Sequence, residues 1–140
     1  MKVDPLKLSD FEEIEPQPAQ IYWRAHRTPE EERFLANEIA FTARDNGRIV
    51  ACAGVVSLGQ EAGICWALIA RDAGRHFLRF RGMFERMIET SGKRRLFANT
   101  ECDFADGCRW LEILGFARIE QREPFCGPDG REHHLYERTF

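Results

Sequence analysis

Residues 64–70 read Ile-Cys-Trp-Ala-Leu-Ile-Ala, an unbroken apolar run, and a turn at Arg71-Asp72-Ala73-Gly74 follows directly. Seven residues are too few for a buried helix, so the run reads as a strand covered on both faces. Beyond the turn, Phe77, Phe80, Phe84, Met87 and Ile88 recur at helical spacing, which predicts a helix from Arg75 to about Glu89 with one buried face. Ser91-Gly92-Lys93 closes it, and Arg95 to Asn99 reads as the next strand. A strand, a helical crossover and a second strand imply a parallel pair, which excludes an all-helical or purely antiparallel fold.

The rest of the chain supplies antiparallel partners. Lys2 to Leu8 reads as a short strand with Pro5 at an edge, and Ser9-Asp10-Phe11-Glu12 as a capping box opening a short helix that Pro16 and Pro18 interrupt. Thr28-Pro29-Glu30-Glu31 opens a second helix, carrying Phe34 and Leu35 and ending near Asn37. Ala40 to Arg44 and Arg48 to Leu58 flank Asp45-Asn46-Gly47, the pattern of a hairpin, and Gly59 to Gly63 is a second loop. Asp103 to Asp106 starts a helix, with Asp103 as its cap, that buries Cys108, Leu111 and Leu114 and stops at Gly115. Phe116 to Arg122 and Glu132 to Arg138 are strands joined by a Pro-Asp-Gly turn at Pro128 to Gly130. The order β-α-α-β-β-β-α-β-α-β-β describes a mixed α/β (α+β) domain spanning residues 1–140, with helices on both faces of one sheet.

Composition narrows the function classes. A length of 140 residues suits one domain, and 44% hydrophobic with 31% charged residues is a globular balance. The net charge of −3 argues against a nucleic-acid partner, and no apolar run is long enough for a membrane span. The opening MKVDPLKLSDFEE is acidic and lacks a signal core. Five cysteines without a C-x-x-C pair fit a reduced, cytoplasmic setting. Cys126, His133 and His134 are zinc-capable types, but neighbouring histidines on a strand point to opposite faces, so no metal is expected.

The element order, with two local motifs, resembles the GCN5-related N-acetyltransferase (GNAT) family. Those enzymes carry Arg/Gln-x-x-Gly-x-Gly/Ala between their fourth strand and third helix; here it reads Arg71-Asp72-Ala73-Gly74-Arg75-His76. Their second motif closes an aromatic-rich helix on Leu-Gly-Phe; here it is Trp110-Leu111-Glu112-Ile113-Leu114-Gly115-Phe116. With the terminal Gly127-Pro128-Asp129-Gly130-Arg131, the overall pattern looks most like acetyltransferase-like proteins of tailed phages and prophages. The resemblance implies a GNAT-like single domain with a central, mostly antiparallel mixed sheet. It also implies acetyl-CoA as co-substrate and transfer to a small-molecule or protein amine by direct attack in a ternary complex.

Family members hold the cofactor pyrophosphate on backbone N–H groups at a helix start, where unpaired donors and the helix dipole favour an anion. By resemblance, Ile69, Ala70, Arg71, Asp72, Ala73, Gly74, Arg75 and His76 form that site, His76 standing where the family prefers glycine or alanine. Arg71, Arg75 and Arg79 would add charge-assisted bonds, or else they simply decorate a solvated face. A splay between the two strands flanking the crossover helix would receive the pantetheine. The transfer needs a base for the ammonium and an acid for the thiolate. The family's usual acid is a tyrosine four residues before the glycine of the Gly-Phe pair, and that position is Leu111. Tyr136 and Cys108 are the substitutes for the acid, and Glu61 and Asp103 the carboxylates considered for the base, Glu61 and Tyr136 being the candidates carried forward. The competing expectation is a catalytically inactive protein of the same fold, phage or prophage encoded, acting in assembly or host-protein interaction. A second copy of the chain or a phage protein would then be its partner.

Overall fold

Asn46 and Gly47 both take positive φ, 51° and 80°. That geometry matches the twist of a two-residue hairpin, and the turn joins β2 (Ile39–Asp45) to β3 (Arg48–Ser57) as the sequence predicts. The structure is a computed structural model that describes residues 1–120, 125–126 and 130–140. β1 (Lys2–Pro5) pairs antiparallel with β2 at the sheet edge, where Pro5 removes no needed donor. β3 pairs antiparallel with β4 (Ala62–Ile69), and β4 pairs parallel with β5 (Arg95–Glu101). β6 (Ala117–Ile119) and β7 (Phe125–Cys126) both pair with β8 (Glu132–Thr139), which is antiparallel to β5. The result is an eight-stranded sheet in the order β1-β2-β3-β4-β5-β8-β6, with β7 also on β8 and one parallel contact. This is the mixed sheet that the element order implies, mostly antiparallel as the resemblance implies.

Helices cover both faces. Phe11 of α1 (Asp10–Glu13) lies 5.7 Å from Trp66, and Tyr22 of α2 (Ile21–His26) lies 6.5 Å from His133, which places both helices on one face. On the other face Phe84 of α4 (Phe77–Ser91) meets Phe41 of β2 at 6.0 Å. There Gly107 of α5 (Ala105–Ile113) sits so close to β5 that a Cβ would lie 2.5 Å from Thr100 Oγ1. Phe11, Phe80, Phe84, Leu96 and Leu114 anchor the core between these layers. α3 (Pro29–Ala36) begins on the expected cap, Thr28 accepting the Glu31 N–H at 3.2 Å.

Several local expectations are corrected. Ser9 is itself helical and makes no side-chain cap. The buried Asp10 carboxylate instead accepts the Lys7 N–H, because a carboxylate withdrawn from water needs every donor within reach. Asp103 does not cap α5: Phe104 holds that position, again without a side-chain bond, and Cys108 and Leu111 are half-buried. α2 was not anticipated, since Pro16 and Pro18 read as breakers; Pro18 in fact starts a 3-10 turn (Pro18–Gln20) that leads into it. The stretch expected as one strand from Phe116 holds only the short β6 before residue 120. The turn expected at Pro128 to Gly130 lies largely outside the described residues. No helix among the described residues is long and apolar enough to cross a membrane.

Candidate functional site

The parallel ladder between β4 and β5 has only three registered pairs, Ala62↔Arg95, Gly63↔Leu96 and Ile64↔Phe97. Past that point β4 stays with β3 as far as Ala51↔Ile69, and β5 stays with β8 as far as Glu101↔His133. The sheet therefore forks. This explains why the middle of the apolar run is half-buried rather than sealed on both faces: Cys65, Trp66 and Ala67 have lost a neighbouring strand. The Ala70 N–H donates to Val50 on β3, so the alternating backbone groups of Ala67 and Ile69 face the fork.

Two adjoining cavities occupy this region. A small one of about 100 Å³ lies in the fork against Cys65, Ala67, Ala98, Thr100 and Leu111. A wider one of about 400 Å³ runs to the start of α4 and is lined by Ala73, Gly74, Phe77, Asp106 and Arg109. Gln17, Ile69, Phe104, Gly107 and Trp110 border both, so they form one continuous cleft. Trp110 is held by the aromatic face of α4, at 5.8 Å from Phe77, 6.4 Å from Phe80 and 4.9 Å from Phe84. Its indole N–H is buried and meets no acceptor among the described residues, which suits a cleft that receives a ligand with acceptor atoms.

At the far end, Asp72 adopts the left-handed conformation with φ 66°, and Ala73–His76 form a 3-10 turn that runs straight into α4. Gly74 is exposed at the cleft mouth, its φ is not positive, and a Cβ there would meet nothing within 4 Å. Its smallness thus keeps the cleft open beside a helix start and answers no demand of the backbone. Ile69, Ala70 and Ala73 are buried beneath the turn. Arg71 and Arg75 are exposed: Arg71 Nη2 lies 4.0 Å from Glu15, and Arg75 Nε lies 3.3 Å from His76 Nε2. His76 is 8% exposed and turns inward, its Nε2 3.4 Å from Asp45 Oδ2 and its ring 6.1 Å from Phe80. The histidine therefore points away from the cleft and does not fill it.

The catalytic candidates do not gather at the fork. Glu61 lies at the closed end of the β4–β5 pair, its carbonyl accepting the Arg94 and Arg95 N–H groups and its exposed carboxylate 3.5 Å from Arg94 Nε. Tyr136 is 2% exposed, and burial with a hydrogen bond to Cys108 pushes its hydroxyl up to about 12. Neither residue borders the cleft, whereas Leu111 does. Sequence reasoning missed Glu101, 4% exposed at the end of β5, where it accepts from the Thr100 hydroxyl at 3.3 Å. It also missed Gln17, Gln20 and Arg109. Nothing local marks Gln20, whose side chain meets β4 across 47 residues. His133 Nδ1 pairs with Asn99 Oδ1 at 3.0 Å and His134 Nδ1 with Cys102 Sγ at 3.4 Å, and no group of three metal-capable residues exists among the described residues.

No protein-family model matches the chain, and no curated protein matches it either. Solved structures do. Ard1 from Thermoplasma volcanium superposes with a TM-score of 0.78 at 11% identity, over 99% of this chain and 96% of that one. The ribosomal-protein-S18-alanine N-acetyltransferase from Escherichia coli gives 0.67 at 22% identity, over 99% and 92%. An acetyltransferase of the GNAT family from Streptococcus pneumoniae gives 0.68 at 14%, over 99% and 98%. At these identities the likeness establishes the fold.

Proposed function

We propose that this protein, on a GNAT fold, is an N-acetyltransferase that takes an acetyl group from acetyl-CoA and delivers it to a small-molecule or protein amine. The observation that carries the reading is the fork after Ile64↔Phe97, continued as one cleft to the open helix start at Gly74. A cleft that opens where a strand pair parts and runs on to a helix start suits a long ligand with amides at one end and phosphates at the other. The solved structures of this fold described as N-acetyltransferases add support.

Acetyl-CoA supplies a thioester whose acyl carbon an amine attacks. The chain supplies the rest. The 3-10 turn at Ala73–His76 leads into the 15-residue α4, and the positive end of that helix at Gly74 would face the phosphates. Arg109 on α5 and the exposed Arg71 and Arg75 supply positive charge near that end. Ala67 O and the Ile69 N–H on the β4 edge, both bonded to Gln20 in this structure, are the acceptor and donor that would meet the pantetheine amides. Glu101, the buried carboxylate at the end of β5, also stands off the cleft, so the amine proton would have to leave through water. The test is calorimetric titration with acetyl-CoA, alongside Gly74→Trp. The new side chain enters open space, so micromolar binding by the parent and loss of binding by a variant of unchanged Tm are expected. A folded parent that binds nothing refutes the reading.

A second reading, a non-catalytic protein of the same fold acting in phage assembly or host-protein interaction, is favoured by Leu111 lining the cleft where the family acid would stand. Thioester turnover above background with any amine excludes it.

A further inference from the structure

The edge of β4 that the fork releases is already covered. Residues 15–20 run along it: the Arg71 N–H donates to Glu15 O at 2.8 Å, Pro16 and Ala70 form an antiparallel bridge, and the Gln17 N–H donates to Ile69 O at 2.8 Å. The Gln20 carboxamide then takes the next backbone pair, accepting the Ile69 N–H at 2.9 Å and donating to Ala67 O at 2.8 Å. Gln17 Nε2 braces it with a bond to Gln20 Oε1 at 3.2 Å. One carboxamide thus makes the two-point contact that an amide of an added strand would make.

The covering is held firmly at its ends, where Ile14 is buried and α2 is tied to α1 by Trp23 on Phe11 at 5.5 Å and by Arg27 donating to Phe11 O at 2.9 Å, and only lightly in its middle. No residue of the 3-10 turn Pro18–Gln20 or of α2 is fully buried, and Gln17 and Gln20 both border the cleft. Segments held by a few half-exposed hydrogen bonds open at a free energy well below that of global unfolding.

We propose that residues 15–20 are a strap occupying the amide-recognition edge of β4 in the resting protein. The Gln20 carboxamide stands in for a ligand amide, and an extended amide ligand binds only after the strap leaves Ile69 and Ala67. The choice of ligand rests on the acetyl-CoA reading above; the removability of the strap does not. The apparent affinity is then the intrinsic affinity reduced by the fraction of open molecules.

Two measurements test this on the full chain. In amide hydrogen exchange without ligand, the Ile69 N–H, bonded to Gln20, is expected to exchange at least about tenfold faster than the Ala70 N–H, bonded to Val50 in the sheet. Equal protection of the two would overturn the proposal, because the strap would then be a fixed part of the fold. In calorimetry with CoA, Gln20→Ala is expected to tighten binding about tenfold by removing the competitor. Gln17→Pro, which deletes both the N–H bond to Ile69 O and the Nε2 bond to Gln20 at a φ of −60° that proline accepts, is expected to tighten it too. Weaker or unchanged binding in both variants would overturn the proposal, since the strap would then belong to the bound state or be irrelevant to it. Fast Ile69 exchange with no CoA binding by any variant would uphold the strap and refute the acetyl-CoA reading instead.

Discussion

Arg44 Nη2 lies 2.8 Å from Asp10 Oδ1, and that contact ties the first helix to the sheet. Asp10 is 2% exposed, and its other oxygen accepts from the Thr42 hydroxyl at 2.7 Å and the Lys7 N–H at 2.9 Å. Every donor in reach is used, and the strap at residues 15–20 hangs from the helix so anchored. Arg44→Met leaves this buried carboxylate without its cation and should cost about 3 kcal/mol in urea unfolding. A loss below about 0.5 kcal/mol would show that the neutral donors suffice.

The same residue sets an acid limb. Burial alone would raise the Asp10 carboxyl, but the Lys7 N–H, the Thr42 hydroxyl and the Arg44 guanidinium outweigh it and hold the group below its ordinary 3.8. A carboxylate depressed in the folded state binds its proton more readily when unfolded. Its stabilisation is therefore complete above pH 3.8 and lost as the pH falls through the lower folded value. Asp10→Asn should be less stable at neutral pH and show a flatter decline below about pH 4. Identical acid limbs would assign the decline to other groups.

Two thiols contribute, with Tyr136, to the opposite limb. Burial pushes Cys52 and Cys65 from 9.0 up to about 12. Their folded forms keep the proton that unfolded thiols release, so stability is complete below pH 9.0 and falls as the pH rises toward 12. Alkylation by iodoacetamide at pH 8 should be slower than in the unfolded chain by about three orders of magnitude, the drop in thiolate fraction. Rapid labelling of Cys65, which borders the fork, would mean that the cleft admits water more freely than the structure shows.

Gly54 is where β3 passes under Trp66. A Cβ there would lie 2.5 Å from the Ile39 carbonyl oxygen and 2.7 Å from Trp66 Nε1. The carbonyl belongs to β2 and cannot retreat without breaking the ladder, so Gly54→Ala should cost about 3 kcal/mol and shift Trp66 fluorescence. A neutral result would require the β2–β3 pair to be looser than its register implies.

Trp110→Ala removes the ring that Phe77, Phe80 and Phe84 support and that closes α5 onto α4. A loss of about 3 kcal/mol is expected, with a wider cleft. Glu61→Gln, by contrast, alters an exposed ion pair at the closed end of the fork and should change stability by under about 0.5 kcal/mol.

What the sequence determined by itself was local. Asn46-Gly47 can turn tightly only with positive φ, Thr28 caps the helix three residues before Glu31, and the spacing from Phe77 to Ile88 makes one helical face apolar. Backbone sterics and periodicity act over a few residues, so these elements, and the parallel pair that a crossover helix requires, are legible in order. Only the tertiary structure decided what fills the space between them. Packing between distant elements sets that His76 turns toward Asp45 and that Tyr136 and Glu61 stand off the cleft, and the fork past Ile64 and Phe97 sets that Gln20 reaches β4. Where the ladder ends, the exposed backbone groups of Ala67 and Ile69 take whatever donor and acceptor the rest of the chain brings within reach, and no local pattern records which residue that is.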